Sequence, residues 1–131
     1  MADYDPEEHL HALDVPVLTY PLRSANGLYV DDIRTVLVRP RLKKIHLRCT
    51  LAHEAVHAEA RHRDVGLLLP RLEHYADREA ARRLINPEHL DDLRRWRDDP
   101  REWCLELGVT PHLLRVYLAS AIDLDPVGVP T

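Results

Sequence analysis

The chain has 131 residues, of which 45% are hydrophobic and 31% charged, and its formal net charge is -4. This length suits one domain with a single core, and the negative charge argues against a general attraction to nucleic acid. No apolar run approaches the roughly 18 residues of a membrane span, and no basic and apolar leader begins the sequence, so we expect a cytoplasmic protein with no membrane contact.

The predicted elements change from strand to helix along the chain. Asp5 and Pro6 predict a short first helix, because aspartate caps a helix and proline suits its first turn. Three runs rich in β-branched and aromatic residues, "VPVLTYPL", "GLYV" and "IRTVLVRP", then predict two or three strands of a small antiparallel sheet. From Leu42 onward the pattern is typical of helices, and Gly66 is expected to end the first of them.

Three later helices share one start signal, a capping residue followed by proline. The three pairs are Asn86-Pro87, Asp99-Pro100 and Thr110-Pro111. The predicted fold is therefore α+β: a small N-terminal antiparallel sheet packed on the first long helix, followed by a helical C-terminal half. We expect one domain over residues 1–131, with residues 124–131 as a loosely held tail.

The stretch "TLAHEAVHAEARHR" carries the main chemical signal. Residues four apart lie on one face of a helix, so His53 and His57 can present two imidazoles to one metal ion, with Glu54 beside them. Zinc bound there would lower the pKa of a bound water toward about 7, and Glu54 would take its proton and later deliver it to a leaving amine. The alternative is a polar helix that contains two histidines by chance. The small apolar neighbours favour the zinc site, because a buried pair of histidines beside a buried glutamate is costly without a partner.

A catalytic zinc site needs a third protein ligand and one open position. Glu73 and Asp77 lie one helical turn apart on an alanine-lined face of the next predicted helix. This pattern predicts that Glu73 binds the metal and that Asp77 accepts a hydrogen bond from the outer nitrogen of His53 or His57, which would fix that ligand's tautomer. The alternative for both carboxylates is pairing with nearby arginines.

Other residues are less suitable as the third ligand. An extended motif would need glycine at Ala60 and histidine at Arg63. His62 lies five residues after His57, off the ligand face, and is expected to decorate the end of the helix. Glu79 lies two residues beyond Asp77 and is expected to pair with an arginine on the surface.

The combination "RCTLAHEAVHAE", "EHYAD" and "AARRLINPEHL" resembles the ImmA/IrrE family of zinc metallopeptidases, which are common in bacteria, phages and mobile elements. The resemblance implies a zincin-like core, zinc held by His53, His57 and Glu73, and Glu54 as general base. It also implies limited proteolysis of a helix-turn-helix transcriptional repressor inside the bacterial host cell. The chain departs from the family in having Glu79 before "AARRLI" and in its short length.

Two other functions stay open. One is a non-proteolytic module of the same fold that binds and sequesters a repressor. The other is a helix-turn-helix DNA-binding protein, because Gly108 and Thr110 could form the turn and the cap of a recognition helix. That helix offers only Arg115 as a full positive charge, so direct nucleic-acid binding is not expected.

The sequence leaves the oxyanion-stabilising donor open among Tyr29, His74, Tyr75 and Arg78. If the strand "GLYV" is an exposed edge of the sheet, it could also receive an extended substrate peptide.

Overall fold

The computed structural model describes residues 3–63 and 69–123, with side chains described through residue 120. The helices and strands in these ranges are α1 (Pro6–Ala12), β1 (Val17–Thr19), β2 (Gly27–Val30), β3 (Thr35–Val38), α2 (Lys44–Ala60), α3 (Leu69–Leu84), α4 (Pro87–Trp96), α5 (Pro100–Leu107) and α6 (Pro111–Asp123), with a short 3-10 helix at Asp31–Ile33. The predicted α+β class is confirmed. In the described ranges, no helix combines the length and the apolar character needed to cross a membrane.

The sheet is mixed, whereas the sequence predicted a wholly antiparallel one. Its spatial order is β1-β3-β2, with β2 antiparallel and β1 parallel to β3. The chain reverses between β1 and β2 and again through the 3-10 helix, so β3 returns in the direction of β1 and enters between the two earlier strands. Strand β2 therefore lies at an edge of the sheet.

The predicted helix caps are confirmed. The side chain of Asn86 accepts hydrogen bonds from the backbone N–H groups of Glu88 and His89, at 2.9 and 3.3 Å. Asp5 and Asp99 cap α1 and α5 in the same way. These caps satisfy donors that the first helical turn leaves unpaired, and they fix where each helix begins.

Helix α2 ends at Ala60, before the predicted end at Gly66. Arg61 adopts the left-handed conformation, with φ 57° and ψ 43°. The N–H of His62 donates to the carbonyl of His57 at 2.9 Å, and the N–H of Arg61 donates to Ala58 at 3.2 Å, which together form a Schellman motif. The chain consequently turns back over the last turn of α2. Gly66 itself and the predicted tail 124–131 lie outside the described residues.

Helix α2 lies at the centre of the core. Leu51, Ala55 and Ala58 pack in a cluster with the sheet and α1. Ala52 packs in a second cluster with Ala80 and other residues of α3 to α6. A helix covered on both sides keeps the side chains between these two surfaces in fixed positions, and His53 and His57 lie there.

Candidate metal centre

The structure brings His53, His57 and Glu73 together, with one ligand atom from each lying within 4.8 Å of the others. The Nε2 atoms of His53 and His57 are 3.1 Å apart. Glu73 reaches them from α3, with Oε1 2.7 Å from Nε2 of His57 and Oε2 3.3 Å from Nε2 of His53. Alanines at the contact between α2 and α3, such as Ala52 and Ala80, let the two helices approach this closely.

These separations suit a zinc ion. Ligand atoms about 2.0–2.1 Å from a tetrahedral zinc lie about 3.3 Å from one another. The two Nε2 atoms are 3.1 Å apart, near that value, and the two oxygens of Glu73 lie 2.7 Å from Nε2 of His57 and 3.3 Å from Nε2 of His53. Two imidazoles and one carboxylate form a donor set that zinc accepts, and three protein ligands leave a fourth position for water or substrate.

Asp77 orients the first histidine. Nδ1–H of His53 donates to Oδ1 of Asp77 at 2.8 Å, so the geometry selects His53 from the two predicted partners. Burial alone would lower the pKa of His53, but the hydrogen bonds to Asp77 and Glu73 outweigh it and raise the pKa to about 10. The bond at Nδ1 leaves Nε2 directed at Glu73 and His57, which is the tautomer that metal binding requires.

His62 contacts the second histidine, a contact that the sequence did not predict. The Nδ1 atoms of His57 and His62 lie 2.9 Å apart, so one ring donates and the other accepts. The contact arises because the Schellman motif returns His62 to the last turn of α2. Burial and the neighbouring His57 lower the pKa of His62, which favours a neutral ring able to accept from Nδ1–H of His57. The two histidines are therefore held by different partners.

Glu54 lies next to the three clustered side chains and is 6% exposed. Burial raises the pKa of its carboxyl group, against the opposing influence of His53 and His57. The carboxylate lines the cleft beside the candidate metal-binding cluster. A raised pKa makes a carboxylate in this position a stronger base toward a neighbouring water.

Gly27 allows the approach of Glu54 to β2. A Cβ atom at Gly27 would lie 2.5 Å from Cγ2 of Thr50 and 3.1 Å from Cγ of Glu54. The first distance is shorter than real Cβ contacts, so a side chain at position 27 would force the Thr50 methyl group or the start of β2 to shift. The sequence pattern assigned no role in the site to Gly27.

The carboxylates of this cluster are paired with histidines. Hydrogen bonds from His53 and His57 hold the pKa of Glu73 well below its usual range. Burial alone would raise the pKa of Asp77, but its hydrogen bonds with His53 and His112 outweigh burial and lower the pKa. In the part of the chain that the structure describes, the ion pairs of Glu73 and Asp77 are all with histidines, so a bound cation would complete the charge balance.

A cleft passes over the cluster. Gly27, Glu54 and Glu73 line it on both sides of the proposed ligands. The side nearer His53 is also bounded by α6. Its further lining residues include His46, Thr50, Thr110 and His112. The side nearer His57 is bounded by leucines at Leu28, Leu69 and Leu72.

The predicted oxyanion donors do not form a clear donor group. The hydroxyl of Tyr29 donates to Asp31 and accepts from Arg34 at 2.7 Å, so it is already engaged. Tyr75 packs its ring at 6.0 Å from that of His62 and is 48% exposed. His74 and Arg78 are exposed on α3. Their role as donors stays a prediction.

Comparison of the chain with protein-family models and with curated proteins finds no match.

Proposed function

We propose that the protein is a zinc-dependent metallo-endopeptidase of the ImmA/IrrE type. The observation that carries the proposal is the convergence of His53, His57 and Glu73 beside an open cleft, with Glu54 next to them. A structural zinc site closes its fourth position with another protein ligand and needs no adjacent base.

The residues would divide the reaction between them. Zinc held by His53, His57 and Glu73 would supply a Lewis acid and an activated water. Glu54 accepts the proton of the attacking water and delivers it to the leaving amine, a role that its raised pKa suits. Asp77 keeps His53 in the ligating tautomer. Gly27 keeps the space in which the Glu54 side chain lies.

Strand β2 is the proposed binding surface for the peptide substrate. The carbonyl of Asn26 accepts from the N–H of Arg39 at 2.8 Å, so residues 26, 28 and 30 bond to β3. The backbone groups of the alternate residues, Gly27 and Tyr29, therefore point away from β3 at the free edge. An extended peptide can pair with these groups beside Glu54, as in other cases of strand addition.

The proposed substrate is a helix-turn-helix transcriptional repressor in the cytoplasm of a bacterial host, and the gene would belong to a phage or mobile element. This part of the proposal is supported by the resemblance of residues 48–59, 73–77 and 80–90 to the ImmA/IrrE family. The second candidate is a module of the same fold that binds the repressor without cleaving it. The position of Glu54 in the cleft favours cleavage.

The third candidate, a DNA-binding helix-turn-helix, is less well supported. Gly108 does adopt the left-handed conformation between α5 and α6, with φ 70°. However, His112 at the start of α6 bonds with Asp77 of the metal centre, so this part of the helix is engaged within the protein.

The test combines metal analysis with cleavage. Elemental analysis of the purified protein should find about one zinc per chain in the wild type and in Glu54→Gln, and none in Glu73→Ala. The wild type, but not Glu54→Gln, should then cleave a co-expressed helix-turn-helix repressor, as read by mass spectrometry of the fragments. A wild type that binds no zinc when zinc is supplied contradicts the metal site. Equal binding of the repressor by both proteins without cleavage supports the sequestering module instead.

Gly27→Ala tests the approach of β2 to Glu54. The added methyl group must displace Thr50 and Glu54, so we expect loss of repressor cleavage with zinc content unchanged, and an overpacking cost of about 1–3 kcal/mol in unfolding free energy. Thr50→Ser removes the methyl group that lies nearest, so the double variant should regain part of the cleavage activity and part of the unfolding free energy. Full cleavage by Gly27→Ala alone would show that the close packing is not required.

A further inference from the structure

Asp77 holds a second histidine as well as His53. Its Oδ1 accepts from Nδ1–H of His53 at 2.8 Å, and its Oδ2 accepts from Nε2–H of His112 at 2.9 Å. The two rings reach the same carboxylate from different helices, α2 and α6. His112 is thus linked to the proposed ligand His53 through Asp77, and these hydrogen bonds do not join it directly to any of the three proposed ligands.

The backbone of His112 is held in place by the start of α6. Thr110 caps this helix, accepting from the N–H of Leu113 at 3.3 Å. The preceding turn is fixed to α2, because the guanidinium of Arg48 donates to the carbonyls of Leu107 and Gly108 at 3.2 and 2.6 Å. The ring of His112 consequently has a defined position although its side chain is 60% exposed.

The side chain of His112 borders the cleft. His112 and Thr110 line its α6 side, while Asn26 and Gly27 line the side formed by the start of β2. In the tautomer whose Nε2–H donates to Asp77, Nδ1 is an acceptor, and it has no hydrogen-bond partner among the described residues. A bond between an exposed histidine and a half-buried carboxylate contributes little to stability, so structural support alone is a weak reason for this arrangement.

An extended peptide on β2 would need such an acceptor. Along a strand, the N–H and C=O groups of successive residues point alternately to the two sides. A peptide paired with Gly27 therefore directs its other N–H groups away from β2, toward the opposite side of the cleft. Any such group that the complex buries costs free energy unless it finds an acceptor.

We propose that His112 is a substrate-contacting residue whose Nδ1, oriented by Asp77, accepts a hydrogen bond from a main-chain N–H of the bound peptide on the side of the cleft opposite β2. This inference rests on the proposed peptidase function. It assigns His112 to recognition of the peptide backbone, so the contact does not depend on the substrate's side chains.

The test compares two zinc-directed probes on the zinc-loaded protein. Acetohydroxamate contacts the metal but is too small to extend along the cleft, whereas an alanine-based phosphinic hexapeptide also extends along both sides of it. Isothermal titration calorimetry measures both affinities for the wild type, His112→Phe and His112→Ala, with zinc content measured in parallel. Phenylalanine keeps a ring at this position and removes both nitrogens. His89→Ala, which changes an exposed histidine on α4, is the matched control.

We expect both His112 variants to bind the phosphinic peptide about three- to tenfold more weakly, the loss of one hydrogen bond. Their zinc content and acetohydroxamate affinity should equal those of the wild type and of His89→Ala. Unchanged peptide affinity overturns the proposal, and so does a loss of zinc or of acetohydroxamate affinity, which would make His112 a support for Asp77. A wild type that binds zinc and acetohydroxamate but not the peptide overturns this inference alone. A wild type that binds neither zinc nor acetohydroxamate overturns the peptidase proposal with it.

Discussion

Two clusters of carboxylates differ in the groups that balance their charge. Asp31, which is 8% exposed, lies between arginines. Its Oδ1 is 3.0 Å from Nε of Arg61, and its Oδ2 is 3.5 Å from the guanidinium of Arg63. The Tyr29 hydroxyl and Arg61 lower the pKa of Asp31. Because arginine keeps its charge at all relevant pH values, this cluster is balanced by the chain itself.

The cluster around Glu73 and Asp77 is balanced in another way. Its ion-pair partners in the described ranges are the imidazoles of His53 and His57, and His112 adds a hydrogen bond to Asp77. An imidazole compensates a carboxylate only while it holds an extra proton, and it can exchange that proton for a metal ion. The Asp31 cluster therefore fixes the end of α2, whereas the histidine cluster has a charge balance that a ligand can change.

The largest expected effect is that of zinc on stability. The proposed function has zinc bound at the histidine cluster, and the described residues around Asp31 are not a candidate metal site. At a free concentration 100 times its Kd, it should stabilise the protein by about 2.7 kcal/mol. Thermal unfolding with added zinc and with a chelator measures the difference.

Glu73→Ala is the control for this prediction, because it removes one of the three ligands and should abolish the shift. An equal shift in wild type and Glu73→Ala would mean that zinc acts elsewhere, and the contrast between the two clusters would be lost.

The sequence predicted those residues of the histidine cluster whose positions depend on local spacing along a helix. The four-residue interval placed His53 and His57 on one face, and the same periodicity selected Glu73 and Asp77. Helix starts were equally predictable, because a cap such as Asn86 acts within its own turn.

The remaining parts depend on contacts that sequence spacing does not show. His112 meets Asp77 from 35 residues away, after α4 and α5 have intervened. His62 meets His57 because Arg61 adopts a left-handed conformation, for which glycine is the usual signal. The direction of β1 relative to β3 likewise follows from pairing across the sheet, since each strand's own pattern is the same for either direction.

Asp77→Asn should give the next largest effect, on zinc affinity. The amide cannot keep the charge that favours Nδ1–H of His53, so we expect a 10- to 100-fold weaker Kd for zinc, typical of losing such a partner. Competition with a chromophoric chelator measures it.

His62→Ala is the matched comparison on the second ligand. It removes a neutral ring from His57, so its effect should be smaller than that of Asp77→Asn. An equal or larger effect would show that the two histidines depend on their partners to the same degree.

The alkaline side of the pH dependence of stability should separate the clusters in the zinc-free protein, because Asp31, Glu73 and Asp77 all lose their contribution on acidification. The folded pKa of His53 is raised from 6.5 to about 10. The contribution of His53 to the unfolding free energy is therefore fully present below pH 6.5 and is lost as the pH rises through 10. Asp31 behaves in the opposite way, because its folded pKa is lowered: its contribution is present above its usual pKa and is lost on acidification.

Urea unfolding between pH 6 and 10, with a chelator present, should show the alkaline loss. Saturation with zinc should flatten this part of the curve, since the metal-bound histidine carries no extra proton. If stability still falls at alkaline pH with zinc bound, a group other than His53 causes the loss.

The smallest expected effect comes from Asp31 and Asp32, two neighbouring carboxylates that both pair with arginines. Comparing them tests whether a buried ion pair contributes more to the unfolding free energy than an exposed one. Asp32 is 73% exposed and lies 2.8 Å from Nη1 of Arg63, so Asp32→Asn should change the unfolding free energy by less than about 0.5 kcal/mol. Asp31→Asn should lower the unfolding midpoint more, because it leaves Arg61 and the Tyr29 hydroxyl facing a neutral amide. Both variants should keep their zinc, because the two clusters balance their charges separately. If Asp31→Asn also lost zinc, the end of α2 and the metal centre would have to be treated as one charge network.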